Sequence, residues 1–231
     1  MSTENKCPIG NHSPQDPEDE DSPDENADIC YSSDSDDESV NDHSKKTSPN
    51  SLKVRAQKNI VGRVVKGRHS IRPLIGRAPA EALKSFERLV QSVVQSKSET
   101  KRIMHSTIKT VAKFWVAVKN RTLNDEQMHY AEGVKDEMRT VALTFISFAR
   151  TEYTYNRKFL TDHLFQCQKY LLRSVTGVLS EKSHARINYI FSKITDPNLM
   201  DKAFSPSATK EQKTAVVTFA DSLERVLDDL T

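Results

Sequence analysis

Apolar residues recur every three or four positions through most of the chain after residue 50, which is the spacing of one face of an α-helix. The pattern predicts helices that contain residues 83–93, 104–118, 131–148, 160–178, 187–194 and 216–230. Asp196 followed by Pro197 predicts the start of a further short helix. Because loops interrupt the pattern after a few turns, it predicts an all-α protein, an antiparallel bundle of six to seven helices, and not a long coiled coil.

The first helix of this pattern, at about residues 51–66, differs from the others in its charge. Its polar positions carry basic residues and no acidic ones: Lys53, Arg55, Lys58, Arg63 and Lys66. A helix with one apolar and one basic side is typical of segments that lie on an anionic surface, and a solvated helix of the bundle is the alternative. Pro73 and Pro79, on either side of Gly76, predict a loop or sharp turn after it.

Charge divides the chain in two. Residues 1–50 hold 14 acidic residues against three lysines, a net charge of −11, and the remainder carries +13. The first 50 residues contain almost no large apolar side chains, so we expect them to be disordered. The basic remainder predicts an anionic partner. A membrane surface fits better than nucleic acid, because no aromatic cluster interleaves with the basic residues as base stacking requires.

The residues that could support catalysis or metal binding do not form a recognisable motif. The glycine spacing from Gly62 to Gly67 lacks the Gly-Lys-Ser/Thr ending of a phosphate-binding loop. His163 and Cys167 share one helical face, but no third group that would orient such a pair is evident. We therefore predict no enzymatic activity, no metal and no cofactor. Without a signal sequence or an apolar run long enough for a bilayer, the sequence predicts a cytoplasmic protein.

Five segments occur in the order and with the gaps of one known family. They are AQKNIVGR at 56–63, IKTVAKF at 108–114, FISFARTEYTYNR at 145–157, KSHARI at 182–187 and LERVLDDL at 223–230. Together they resemble the tumour-necrosis-factor-α-induced protein 8 family, also called the TIPE family, over about residues 51–231. Asn59 departs from the family, where a second consecutive lysine is common, and the acidic segment 1–50 is longer than the usual leader.

This resemblance implies a bundle around a central hydrophobic cavity that is open at one end. Members of the family bind and shuttle phosphoinositides and modulate survival, inflammatory or autophagy signalling. The resemblance therefore implies a phosphoinositide-binding or lipid-transfer protein of the cytoplasm that is recruited reversibly to membranes. The alternative is a protein–protein adaptor of cell-death or immune signalling that has no role in lipid transfer.

The resemblance also assigns residues to a lipid site. The family's positions for the lipid headgroup correspond to Lys58, Arg63, Lys119 and Lys135, and charge position alone adds Lys53 and Lys66. Apolar residues of the helical stripes would line the cavity or pack in the core: Val111, Trp115, Val134, Met138, Val141, Phe145, Leu164 and Leu171.

We predict that the acidic segment is autoinhibitory, because it competes with anionic membranes for the basic part of the chain. Removal of residues 1–50 should increase binding to anionic vesicles at low salt, and the difference should shrink at high salt, where charges are screened. Vesicle sedimentation of the full chain and of residues 51–231 measures this. Equal binding of the two proteins at low salt would exclude autoinhibition.

Overall fold

The computed structural model of the chain describes residues 71–151 and 154–229. These ranges contain eight α-helices and no strand: α1 (Arg72–Ile75), α2 (Arg77–Val94), α3 (Lys97–Lys119), α4 (Asp125–Arg150), α5 (Arg157–Val175), α6 (Glu181–Ile194), α7 (Pro197–Ala203) and α8 (Lys210–Asp228). The predicted all-α fold is confirmed. Helices α2 to α6 and α8 match the apolar stripes, although α5 ends at Val175 and not at the predicted Val178, and α7 begins at the predicted Asp196-Pro197 start. The predicted acidic segment 1–50 and basic helix 51–66 lie outside the described residues.

Polar side chains fix where the longer helices begin. At the start of α4, the Asn124 side chain accepts a hydrogen bond from the Gln127 amide (2.8 Å), and Gln127 accepts one from the Asn124 amide (2.9 Å). Thr209 and Gln212 form the same reciprocal pair at the start of α8. Each such cap satisfies amide groups that have no partner within the helix, and stabilises it by about 1 kcal/mol.

The segment around the two prolines is more helical than the sequence predicts. Pro73 lies in the first turn of the short helix α1, and Pro79 is the third residue of α2. Neither position needs an amide hydrogen, because the first four amides of a helix have no acceptor within it. The expected turn is confined to Gly76, whose φ of 92° is open to glycine and strained for other residues.

Helix α4 packs against α5 on one side and α8 on another. Contacts from Arg173 to Tyr130 and from His163 to Glu137 show that α4 and α5 are antiparallel. The two helices approach closely at Gly133, where a Cβ atom would lie 3.0 Å from the Tyr170 ring. This close approach explains a glycine inside a long helix, where it otherwise costs about 1 kcal/mol relative to alanine.

Helix α8 runs antiparallel to α2 and parallel to α4. Ser85 donates a hydrogen bond to Ser222 (2.8 Å), and the Gln212 amide group reaches the carbonyl of Ser92 at the other end of the α2–α8 pair. On the α4 side, the last residue of α4, Arg150, forms ion pairs with α8 through Asp221 and Glu224.

Two clusters of buried side chains form most of the interior. The larger one contains residues of the four helices α4, α5, α6 and α7: Val134, Leu160, Leu164, Cys167, Leu171, Val175, Ile187, Phe191 and Met200. The other joins α2, α4, α7 and α8: Leu89, Val93, Phe145, Ala203, Ala215, Val216 and Ala220. Phe204 packs against both clusters.

A chain of aromatic rings runs through these clusters. The Phe204 ring centroid lies 4.9 Å from that of Tyr155, 5.0 Å from that of Phe145 and 5.6 Å from that of Phe148. Phe145 also contacts Phe219, which contacts Phe86 on α2. Aromatic pairs in stacked or edge-to-face arrangements contribute about 0.5–1.5 kcal/mol each beyond the burial of area.

We expect Phe145→Ala to destabilise the fold strongly, because it removes a ring that is only 8% exposed and contacts two others. The expected loss in the free energy of unfolding is about 3–5 kcal/mol, measured by urea denaturation. Phe165→Ala is the control, since Phe165 is 51% exposed and its loss should change the stability by about 0.5 kcal/mol or less. Equal losses for the two variants would contradict this account of the core.

Candidate functional site

One apolar residue on the inward face of α4 is exposed to solvent. Val134, Met138 and Phe145 are separated by four and seven residues, so they share one face of the helix. Val134 and Phe145 are each 8% exposed and belong to the two buried clusters. Met138 lies between them and is 44% exposed. An apolar side chain is therefore exposed on this face between the residues that contribute to the two clusters.

The other apolar residues of the predicted lipid site occupy several environments. Val134, Leu164 and Leu171 pack together in the larger cluster, and Val141 packs against it. Phe145 belongs to the second cluster. Val111 and Trp115 are half-buried on α3. That this set encloses a cavity for lipid remains a prediction.

Two of the predicted headgroup lysines lie in the described part of the chain, and both are exposed. Lys119 ends α3, and its ammonium group lies 4.6 Å from the centroid of the Trp115 ring. Lys135 lies on α4 three residues before Met138, a spacing that makes the two side chains neighbours on the helix surface. The other four, Lys53, Lys58, Arg63 and Lys66, lie outside the described residues.

A small apolar cluster lies at the turn between α3 and α4. Ala117, Leu123 and Ala131 pack together across the turn that joins the helices. Lys119 follows Ala117 by two residues, and Lys135 follows Ala131 by one helical turn. Lys119 therefore lies at this turn, and Lys135 lies further along α4, beside Met138.

The structure adds a cleft that the sequence did not indicate. It lies between α2 and α8, has a volume of about 560 Å³, and is lined on one side by Arg88 and on the other by Lys210 and Glu211. These residues are far apart in the sequence and meet only because α2 and α8 are antiparallel. The mixed charge of the lining does not select one class of ligand.

His163 and Cys167 have the third group that the sequence did not reveal. Glu137 on α4 lies with a carboxylate oxygen 2.7 Å from His163 Nδ1. The environment of the Cys167 thiol nevertheless disfavours the reactive thiolate form. It is 1% exposed, and burial, assisted by the Glu137 carboxylate, raises the pKa of the thiol to about 12. Cys167 therefore acts as a core residue.

Residues 71–151 and 154–229 contain neither a candidate metal site nor a candidate membrane span. Within these ranges, no three His, Cys, Asp or Glu side chains are grouped so as to hold a metal ion. None of the helices in the same ranges combines the length and the apolar character that a transmembrane span requires.

We expect Cys167 to resist alkylation in the folded protein, because a thiol whose pKa is raised to about 12 stays protonated at pH 8 and alkylation needs the thiolate. Modification should become fast only after unfolding. Iodoacetamide labelling with peptide mapping, which separates Cys167 from Cys7 and Cys30, measures this. Labelling of Cys167 at the same rate in the folded and in the guanidinium-unfolded chain would contradict the assignment.

Comparison with known proteins gives a family for the whole helical region. The family model described as Tumor necrosis factor alpha-induced protein 8-like matches residues 47–230. Tumor necrosis factor alpha-induced protein 8 of Mus musculus is 29% identical over 178 residues, which are 77% of this chain and 88% of the relative. Its Gallus gallus counterpart is 28% identical over 78% of this chain and 94% of the relative. Tumor necrosis factor alpha-induced protein 8-like protein 2 of Xenopus tropicalis is 28% identical over 68% of this chain and 84% of the relative. The chain belongs to the tumor necrosis factor alpha-induced protein 8-like family.

Proposed function

We propose that the protein binds phosphoinositides, transfers them through the cytoplasm with reversible recruitment to membranes, and thereby regulates apoptosis, inflammatory or autophagy signalling. The observation that carries the proposal is the exposed Met138 on the inward face of α4, with Lys135 beside it. An exposed apolar side chain beside a cation matches the two parts of an anionic lipid.

The proposed mechanism separates the two ends of the lipid. Acyl chains enter at Met138 and leave water, and each buried methylene group contributes about 0.8 kcal/mol. The phosphorylated headgroup stays outside, where Lys135 and Lys119 neutralise it. Lys53, Lys58, Arg63 and Lys66 complete the basic border in this proposal and supply the attraction to an anionic membrane, at about 1 kcal/mol for each residue near the surface.

Family membership supports the signalling part of the proposal. The relatives are named for induction by tumor necrosis factor alpha, a name that associates them with inflammatory and cell-death responses. We propose the same setting for this chain, with lipid binding as the physical activity. No catalytic step is part of the mechanism.

An adaptor function is the second candidate, and a different surface favours it. Leu143 on α4 is 52% exposed and Val217 on α8 is 37% exposed. The register that joins Phe145 to Phe219 places Leu143 and Val217 at the same level of the parallel helices. A signalling protein that covers this outer apolar pair would make the protein an adaptor without any role in lipid transfer.

We predict that the full chain removes phosphoinositide from vesicles, and that Met138→Glu lowers the amount removed about tenfold or more, because a carboxylate at the proposed entry repels acyl chains. Leu143→Glu is the matched control, since it places the same charge on the opposite side of α4 at a residue of similar exposure. The measurement is the lipid that remains with protein in the supernatant after the vesicles are pelleted. Absence of lipid there, or equal loss in both variants, would favour the adaptor.

We also predict that Lys135→Glu weakens binding to phosphoinositide vesicles by about thirtyfold at low salt, because reversal of one charge near an anionic surface costs about 2 kcal/mol. Lys169→Glu, at an exposed position on α5, is the control and should weaken binding less. Vesicle sedimentation over a range of lipid concentrations gives both affinities. An equal effect of the two variants would remove Lys135 from the headgroup site.

A further inference from the structure

The outer sides of the parallel helices α4 and α8 form one surface with exposed apolar residues at its middle. Leu143 on α4 and Val217 on α8 are exposed and lie at the same level. Arg150 on α4 forms ion pairs across this surface with Asp221 and Glu224 on α8. These three residues follow Leu143 and Val217 by four or seven positions, so the ion pairs and the apolar pair share one side of the helices. We name this surface the α4–α8 face; it comprises Asp136, Arg139, Leu143, Ser147, Arg150, Lys210, Lys213, Val217, Asp221 and Glu224.

Charge on the α8 half of this face changes sign about Val217. Lys213 and Lys210 precede Val217 by four and seven residues, and Asp221 and Glu224 follow it by the same two intervals. Intervals of four and seven residues return to the same side of a helix, so all five residues form one row along α8. Each charge in the row therefore has an opposite charge at the same distance on the other side of Val217.

The α4 half shows the same kind of pattern about Leu143, with the signs reversed. Asp136 precedes Leu143 by seven residues, and Arg150 follows it by seven. Arg139 precedes Leu143 by four residues and has the uncharged Ser147 as its counterpart. All of these residues are exposed. The two helices thus carry charge patterns that are centred on two apolar residues at one level.

A surface with such a pattern is complementary to itself. A twofold axis that crosses the face at this level, perpendicular to the helices, places each helix antiparallel to the same helix of a second copy. Lys210 and Lys213 of one copy then lie opposite Glu224 and Asp221 of the other. An axis along the helices would instead set Arg139 opposite Lys213, so charge favours the antiparallel arrangement.

The charges on this face remain uncompensated within one copy. Lys213 donates a hydrogen bond to the carbonyl oxygen of Pro206 (3.1 Å), which is uncharged, so the positive charge of Lys213 is not neutralised. Asp221 and Glu224 share the single guanidinium of Arg150, which leaves one negative charge in excess. Their side chains are 41% and 44% exposed, so lysines of a second copy can reach them without displacing Arg150.

We propose that the α4–α8 face is the interface of a weak homodimer, in which α4 packs antiparallel to α4 and α8 antiparallel to α8. The face is about 21 Å long from Lys210 to Glu224 and about 20 Å wide across two helices. An interface of this size lies at the low end for specific complexes, below about 1,200 Å² of total buried surface. Leu143 and Val217 exclude water at its centre, and the ion pairs set its orientation. The dimer is therefore reversible and sensitive to salt.

This dimer is independent of the proposed lipid function. Met138, the proposed entry for acyl chains, lies on the opposite side of α4 from Leu143. The dimer uses the apolar pair that the adaptor candidate offers to a signalling protein, and assigns it to a second copy of the chain. A negative result in the experiment below leaves the extraction experiment unaffected, because that experiment measures lipid and not association between copies.

The first measurement is sedimentation velocity of the full chain at concentrations from about 1 to 500 µM, which cover the Kd range of weak complexes. We expect the weight-average sedimentation coefficient to rise toward that of a dimer, and to rise less at high salt. Leu143→Glu should increase Kd about tenfold or more, because it sets two carboxylates opposite each other at the axis. A coefficient that stays constant for the parent chain would overturn the proposal and leave the face to a signalling protein.

The second measurement exchanges charges between the two ends of α8. Lys210→Glu alone and Glu224→Lys alone should each increase Kd about tenfold, because each makes two symmetry-related contacts repulsive. In an equimolar mixture the two variants restore both contacts, so Kd should return to within about threefold of the parent value. Each new charge also lies toward the helix end that favours it, and circular dichroism establishes that the variants are folded.

Lys169→Glu on α5 is the matched control, since it reverses one exposed charge away from the α4–α8 face. Its Kd should stay within about twofold of the parent value. A mixture that associates no better than Lys210→Glu or Glu224→Lys alone would overturn the proposed pairing. So would an equal effect of Lys169→Glu, because it would show that association depends on net charge and not on this face.

Discussion

The contact between Phe204 and the rings of Phe145, Phe148 and Tyr155 is the interaction on which the helical arrangement depends. Phe204 follows the short helix α7, Phe145 and Phe148 belong to α4, and Tyr155 lies just before α5. Their rings join the two buried clusters, so the pairing of α4 with α5 and that of α2 with α8 are coupled through one aromatic centre. Three of these four rings come from the segment 145–157, whose resemblance to the family is strong.

This constraint gives α4 its unusual inward face. One end of its stripe must pack with α5, through Val134, and the other with α2 and α8, through Phe145. The side chains between Val134 and Phe145 on this face lie at the boundary between the two clusters. Met138 lies at this boundary and remains exposed. The proposed entry for acyl chains thus lies where α4 passes from one buried cluster to the other.

Periodicity was sufficient to predict the helices and the side that each residue faces, because helix geometry converts spacing into direction. It did not predict whether the space in front of a residue is filled, so Met138 and Val134 look equivalent in the sequence. Contacts between segments that are far apart in the sequence could not be predicted from it either. Glu137 beside His163, Lys113 beside Ser183, and Arg88 opposite Lys210 depend on how helices pair. The short helix α1 was missed because proline was interpreted as a breaker, although proline is compatible with a first turn.

The most direct test of the lipid account is photolabelling of the full chain with a phosphoinositide that carries a diazirine in its acyl chain, followed by mass spectrometric mapping. Helix α4 provides an internal comparison, since Met138 and Leu143 are both exposed apolar residues on opposite sides of it. The account predicts that label is concentrated on Met138 and its neighbours on the inward face, with little on Leu143. Label concentrated on Leu143 or Val217, or spread equally over both sides, would show that acyl chains do not enter the bundle and would contradict the account.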